Sequence, residues 1–151
     1  MGSRPNMAKS SNRIALVVED DPFLQGQIVK HLEQSGFTVL AAFDFSTAVR
    51  HLEGAKPYVA CIDLGLPSES GYELCEYIRR RAELVTLPIL VMSERSFPED
   101  MAHAEEAGAN VFLKKPFAMK KLLQHLSTLL DEPPASRPHV RTLRLSQPPG
   151  G

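Results

Sequence analysis

Apolar and polar positions fall along this chain in blocks of two kinds. Five short apolar runs have the length of strands: Ile14-Ala15-Leu16-Val17-Val18, Thr38–Ala42, Tyr58-Val59-Ala60-Cys61-Ile62, Pro88-Ile89-Leu90-Val91-Met92 and Val111-Phe112-Leu113. Continuous runs of this sort suit strands buried on both faces. Longer stretches with helical spacing lie between them. The first is opened by Asp21 as N-cap and Pro22 at N1, and extends to about Ser35. Phe23, Leu24, Ile28 and Leu32 form its stripe, and Gly36 stops it. The second is capped by Asp44 or Ser46 and ends near Glu53, with Gly54 after it. The third follows a loop with Gly65, Pro67 and Gly71, and runs to about Arg81 with Leu74, Tyr77 and Ile78 inward. The fourth spans Pro98 to Ala107 before Gly108, and the fifth about Ala118 to Leu130 with five leucines.

Five strand–helix units over residues 13–130 predict a single α/β domain, a parallel five-stranded sheet with helices on both faces. Gly-rich phosphate loops are absent, so a dinucleotide site or a P-loop is unsupported. The remaining common arrangement is the flavodoxin-like (βα)5 fold, strand order 2-1-3-4-5. The ends differ from this middle. Residues 1–12 are polar and aperiodic, and read as a tag or disordered N-terminus. Residues 131–151 hold five of the twelve prolines and read as a Pro-rich tail or linker, in which Val140–Leu145 could form a short strand. Such a tail is too short for a helix-turn-helix domain. The expectation is a stand-alone domain or a piece of a larger protein.

Composition narrows the class. With 43% hydrophobic and 23% charged residues the chain resembles an ordinary soluble domain, and no apolar run reaches the ~20 residues of a membrane helix. No signal-peptide pattern opens it, so a cytoplasmic location is expected. The net charge of −1 argues against a basic nucleic-acid face. It conceals an acidic middle, where residues 13–130 carry 12 Lys and Arg against 16 Asp and Glu. Cys61 and Cys75 are too far apart for a common zinc motif and read as buried free thiols. The five histidines form no metal pattern. Arg79-Arg80-Arg81 reads as a solvated basic patch.

Candidate chemistry emerges from topology. In open α/β sheets ligands bind beyond the carboxyl ends of the strands, where the order reverses. Strand 1 ends in Glu19-Asp20-Asp21, strand 3 in Asp63, strand 4 in Ser93 and strand 5 in Lys115. Clustered carboxylates repel, and a proton or cation must relieve them. Hard oxygen ligands suit Mg2+. Cation, ammonium and hydroxyl around one carboxylate make an arrangement for holding a phosphoryl group, and a carboxylate can itself act as nucleophile. Each residue alone has a plainer explanation, such as a helix cap or turn. Four coincidences at matched strand ends do not.

These residues resemble the receiver domain of two-component response regulators. The resemblance covers about residues 13–130. It rests on Val17-Val18-Glu19-Asp20-Asp21-Pro22, on Asp63-Leu64-Gly65-Leu66-Pro67 with Gly71, and on Phe112-Leu113-Lys114-Lys115-Pro116-Phe117. It implies that Asp63 accepts a phosphoryl group from a histidine kinase or phosphotransfer protein, as a signalling phosphoacceptor that catalyses only its own phosphorylation and dephosphorylation. Asp20 would ligate Mg2+ directly, Glu19 through water, and Asp63 and the Gly65 carbonyl would complete the protein's ligands. Lys115 would pair with the phosphoryl group and Ser93 would hydrogen-bond it. Phe112 would turn inward, changing the surface around helix 4, strand 5 and helix 5. The reader of that surface would be a downstream target or a fused output domain, with no direct nucleic acid and no membrane contact. A phosphorylation-dependent homodimer stays open.

Some positions depart from the family's pattern. Glu94 follows Ser93 where Ala or Gly is usual, and its charge could repel an incoming phosphoryl group unless Arg95 neutralises it. Phe112 lacks the hydroxyl of the common Tyr. Asn110-Val111 replaces an acidic pair of one DNA-binding subfamily, which argues against that subfamily's dimer. The alternative is a degenerate receiver, a phosphorylation-independent interaction module. A phosphatase of the haloacid-dehalogenase type would need an Asp two residues after Asp63, where Gly65 stands.

Overall fold

The computed structural model describes residues 13–131 and the backbone of 144–145. The expected N-terminal tag and most of the tail lie outside these. Strands β1 (Ile14–Val18), β2 (Thr38–Ala42), β3 (Val59–Asp63), β4 (Ile89–Ser93) and β5 (Val111–Lys114) alternate with helices α1 (Pro22–Gln34), α2 (Phe45–Gly54), α3 (Gly71–Arg80), α4 (Pro98–Ala107) and α5 (Met119–Asp131). A short 3-10 turn, Ala82–Leu84, follows α3. The strands are parallel and the order is β2-β1-β3-β4-β5, as the pattern predicts. A sixth strand, β6 (Arg144–Leu145), extends the sheet beyond β5. It falls inside the one stretch of the tail with strand character.

The apolar runs of β1, β3, β4 and β5 are buried on both faces because each face is covered by helices, whereas β2 at the sheet edge is only partly buried. Alternate residues separate into two cores. Ala15, Val17, Cys61, Leu90, Met92, Val111 and Leu113 join Ile28 and Leu32 of α1 and Leu122, Leu126 and Leu129 of α5. Leu16, Val18, Ile62, Ile89, Val91 and Phe112 join residues of α2, α3 and α4, among them Leu52, Leu74, Ile78 and Ala104. Both cysteines are free and buried, and desolvation pushes each thiol up to about 12.

Local chemistry sets the helix ends. The Asp21 carboxylate accepts from the Phe23 N–H, and Asp44 rather than Ser46 caps α2 by accepting from Thr47. Ser70 and Glu73 exchange hydrogen bonds in a capping box at the start of α3. Gly108 ends α4 in a left-handed conformation, φ 104°.

Two expectations are corrected. Phe23 is 74% exposed and does not share the α1 stripe. It lies five residues before Ile28, about 140° around the helix, so it points away from the core. Gln25 takes the inward place instead. Arg79 is also no part of a solvated patch. Its guanidinium donates to the carbonyls of Gly108, Val85 and Leu87 and to Asn110 Oδ1. Burial lowers its pKa to about 10. The buried Asn110 Oδ1 also accepts the Ile89 N–H, 2.8 Å away. This clasp ties α3, β4, α4 and β5 together at the amino ends of the strands.

Candidate functional site

The carboxyl ends of β1, β3, β4 and β5 open on a cavity of about 790 Å3, lined by Glu19, Asp20, Asp63, Gly65, Ser93, Lys115 and neighbours including Phe23 and Glu94. The parallel register brings the groups that end these strands, two acids from β1 and one residue each from β3, β4 and β5, to the same rim. Oxygen atoms of Glu19, Asp20 and Asp63 lie within 4.8 Å of one another. Glu19 is fully buried, Asp63 nearly so, and Asp20 faces outward.

Lys115 is the cation of the cluster. Its Nζ lies 2.9 Å from Glu19 Oε1 and 3.4 Å from Asp63 Oδ1. Asp63 Oδ1 accepts the Gly65 N–H at 3.0 Å, and Glu19 Oε2 accepts the Asp21 N–H at 3.1 Å. The contact of Glu19 Oε1 with the ammonium lacks the direction of a hydrogen bond.

The electrostatics follow from burial. Desolvation pushes Glu19 up to about 7, against the pull of Lys115 and the Asp21 N–H, and Asp63 adds to the rise. Desolvation also raises Asp63, opposed by the Gly65 N–H and Lys115 and reinforced by Asp20. For Lys115, burial alone would lower the pKa, but contacts with Glu19 and Asp63 outweigh it and the ammonium is held above its ordinary value. Three acids thus face one ammonium. The excess negative charge, the hard oxygen donors and the poorly directed buried Oε1 all fit a divalent cation such as Mg2+.

Ser93 is buried, and its Oγ accepts the Arg95 N–H at 3.0 Å. Its carbonyl accepts the Lys115 N–H at 2.8 Å, which joins the ends of β4 and β5. Arg95 does not neutralise Glu94. Its guanidinium pairs with Asp100 at 3.3 Å and lies over the Phe97 ring. The helix-start carboxylate of Asp100 is nearer to hand, and Glu94 remains exposed on the cavity rim. The ring of Phe112 is inside the core, 2% exposed.

Two contributors escaped the sequence reading in whole or part. Gln25 Nε2 donates to the carbonyls of Glu19 and Ala42, at 3.0 and 2.9 Å, and so fixes the end of β1 that carries the acids. The available signal was its spacing, three residues before Ile28 on the buried stripe. The sequence puts Gly71 in the loop, whereas it is the first residue of α3 and its reason is contact. A Cβ there would collide with the Asp63 carbonyl and Leu64 Cα.

The model of the response regulator receiver domain matches residues 15–127. The chain belongs to that family. Among curated relatives, it is 33% identical over 148 residues to the alkaline phosphatase synthesis transcriptional regulatory protein SphR of Synechococcus elongatus, covering 90% of this chain and 56% of that one. It is 30% identical over 118 residues to the phosphate regulon transcriptional regulatory protein PhoB of Escherichia coli, covering 78% and 52%. The chain thus spans about half the length of the curated relatives it matches. Among solved structures, the receiver is similar to the chemotaxis protein CheY4 of Vibrio cholerae, with TM-score 0.75 and 25% identity, covering 79% of this chain and 99% of that one. A response regulator from Chloroflexus aurantiacus gives TM-score 0.75 and 28% identity, covering 81% and 100%. Among the described residues, no helix of the receiver is long and apolar enough to cross a membrane.

Proposed function

We propose that this receiver takes a phosphoryl group onto Asp63 from a phosphohistidine on a partner kinase or phosphotransfer protein, with Mg2+ held by Glu19, Asp20, Asp63 and the Gly65 carbonyl. The observation that carries the reading is the convergence of Lys115 with all three acids and Ser93 on one cavity. The cation, when bound, offsets negative charge on the phosphoryl oxygens. An Asp63 oxygen attacks phosphorus, the P–O bond forms as the P–N bond breaks, and the imidazole nitrogen takes a proton. The Gly65 N–H and Lys115 hold Oδ1 and fix the carboxylate plane. Lys115 pairs with the transferred group. The Ser93 hydroxyl turns from the Arg95 N–H to donate to a phosphoryl oxygen, and that movement draws the β4–α4 loop.

The reader of the change is a downstream protein or an output domain of a longer chain, acting through the surface around α4, β5 and α5, with Phe112 as the buried element of the switch. We place the protein in the cytoplasm, with a phosphorylation-dependent homodimer as one form of output. Incubation with Mg2+ and a small phosphodonor is expected to add one phosphoryl mass to the wild type and none to Asp63→Asn. Equal labelling of both would overturn the assignment.

A second reading is favoured by Glu94, which lines the rim without an ion-pair partner among the described residues. It makes the domain a phosphorylation-independent interaction module. Mg2+ with beryllofluoride then leaves the amide NMR spectrum unchanged, whereas shifts around Ser93 and Phe112 support phosphorylation.

A further inference from the structure

The two outer edges of the sheet are covered by different means. On β2, the Thr38 N–H bonds to Arg13 and the Ala42 carbonyl accepts from Glu19. Val39 and Ala41 therefore turn their backbone groups to the open side. There the His51 ring places Nε2 3.0 Å from the Ala41 carbonyl. At the start of β5, the Asn110 N–H bonds to Ile89, so Val111 turns its own backbone groups away from β4. On that side the chain supplies a strand of its own. Arg144 is in register with Val111 and Leu145 with Phe112, in parallel.

We propose that the outer edge of β5 is a strand-docking site for the chain's own segment at Arg144–Leu145, a cover held weakly enough to be lost and to be replaced in trans by the same segment. An uncovered edge is a template for another strand, and extended segments bind by adding to such edges. The occupant is suited to removal. Its ladder is only two residues long, at the weak end of sheet stability. The sequence also limits its growth. Val140-Arg141-Thr142-Leu143-Arg144-Leu145 mixes apolar and β-branched residues with arginines, but Pro138 and Pro148-Pro149 bound it on either side. β5 leads directly into Lys115, so whatever occupies this edge bears on the strand that carries the site's cation. The docking itself does not depend on phosphorylation of Asp63.

The test is amide hydrogen exchange on the full chain. The double variant Arg144→Pro/Leu145→Pro puts proline at both positions of β6 and so breaks its ladder, while leaving β1 to β5 intact. Exchange at Val111 is expected to accelerate about tenfold or more, with amides of β1 and β3 unchanged. A peptide of residues 140–147 added in excess is expected to restore slow exchange at Val111. An unchanged Val111 rate in the folded variant overturns the proposal, and so does a peptide that restores nothing. If the prolines unfold the chain, seen as faster exchange in β1 too, a chain with residues 140–147 replaced by Gly and Ser gives the same reading. Selective acceleration at Val111 supports docking, and no change overturns it.

Discussion

The ammonium of Lys115 stands closer to Glu19, at 2.9 Å, than to Asp63, at 3.4 Å. Its nearer partner is the fully buried carboxylate, which has the least water to stabilise it. Lysine therefore offsets the charge of the site's floor as well as meeting the group that arrives at Asp63. Lys115→Ala is expected to lower unfolding free energy by about 3 kcal/mol, because two buried acids lose their counter-charge. Mg2+ should recover part of the loss. Urea denaturation with and without the cation checks both statements.

Stability should also depend on pH through Glu19. Its folded pKa is about 7 against an ordinary 4.5. Between these values the folded chain keeps a proton that the unfolded chain has released. The contribution is full below 4.5 and is lost as pH rises through 7, up to about 3 kcal/mol. In cation-free buffer the wild type should lose stability over this window and Glu19→Gln should lose less. Mg2+ should flatten the wild-type slope, because it favours the ionised acids. Equal slopes for both proteins would contradict the assignment.

Glu94→Gln tests the rim. With Arg95 engaged by Asp100, the exposed Glu94 lines the cavity with no ion-pair partner among the described residues. Removing it is expected to speed labelling by a small phosphodonor by about threefold at low salt, with the gain shrinking as salt rises. A rate that falls, or does not change, would mean that Glu94 is no obstacle.

Gly71→Ala should disturb the site from behind. The new methyl would meet the Asp63 carbonyl and the Leu64 backbone, neither of which can move alone. A cost of about 2 kcal/mol is expected, with slower labelling at Asp63. Thermal melts and the labelling assay read the two effects separately.

Asn110→Ala breaks the clasp at the other end of the sheet. The buried Ile89 N–H loses its acceptor and Arg79 loses one of four. A loss of about 2 kcal/mol is expected from denaturant titration, with phosphoryl labelling unchanged where the chain stays folded.

The five strands could be read from sequence because their runs are short and bounded by turn residues, and four of them, all but β2, are buried along the run. The acids, Ser93 and Lys115 could be read because each directly ends such a run. Where the reading missed, a side chain chose between partners that only three dimensions bring together. Arg95 follows Glu94 in sequence, but Asp100 lies where the helix start presents a carboxylate. Arg79 adjoins two exposed arginines, but the carbonyls that claim it come from α4 and the stretch before β4. Gln25 looks polar and therefore external, but two carbonyls at the strand ends reward its burial. The strand in the tail was visible only as a pattern, because its partner edge belongs to β5.

The guanidinium clasp has a consequence for how such a domain can respond. Arg79 and Asn110 fasten four elements at the end of the sheet remote from the acids. Strands β4 and β5 are therefore pinned at their amino ends independently of the acids, so that a change at the rim, whether a proton, a cation or a phosphoryl group, has a fixed frame to act against.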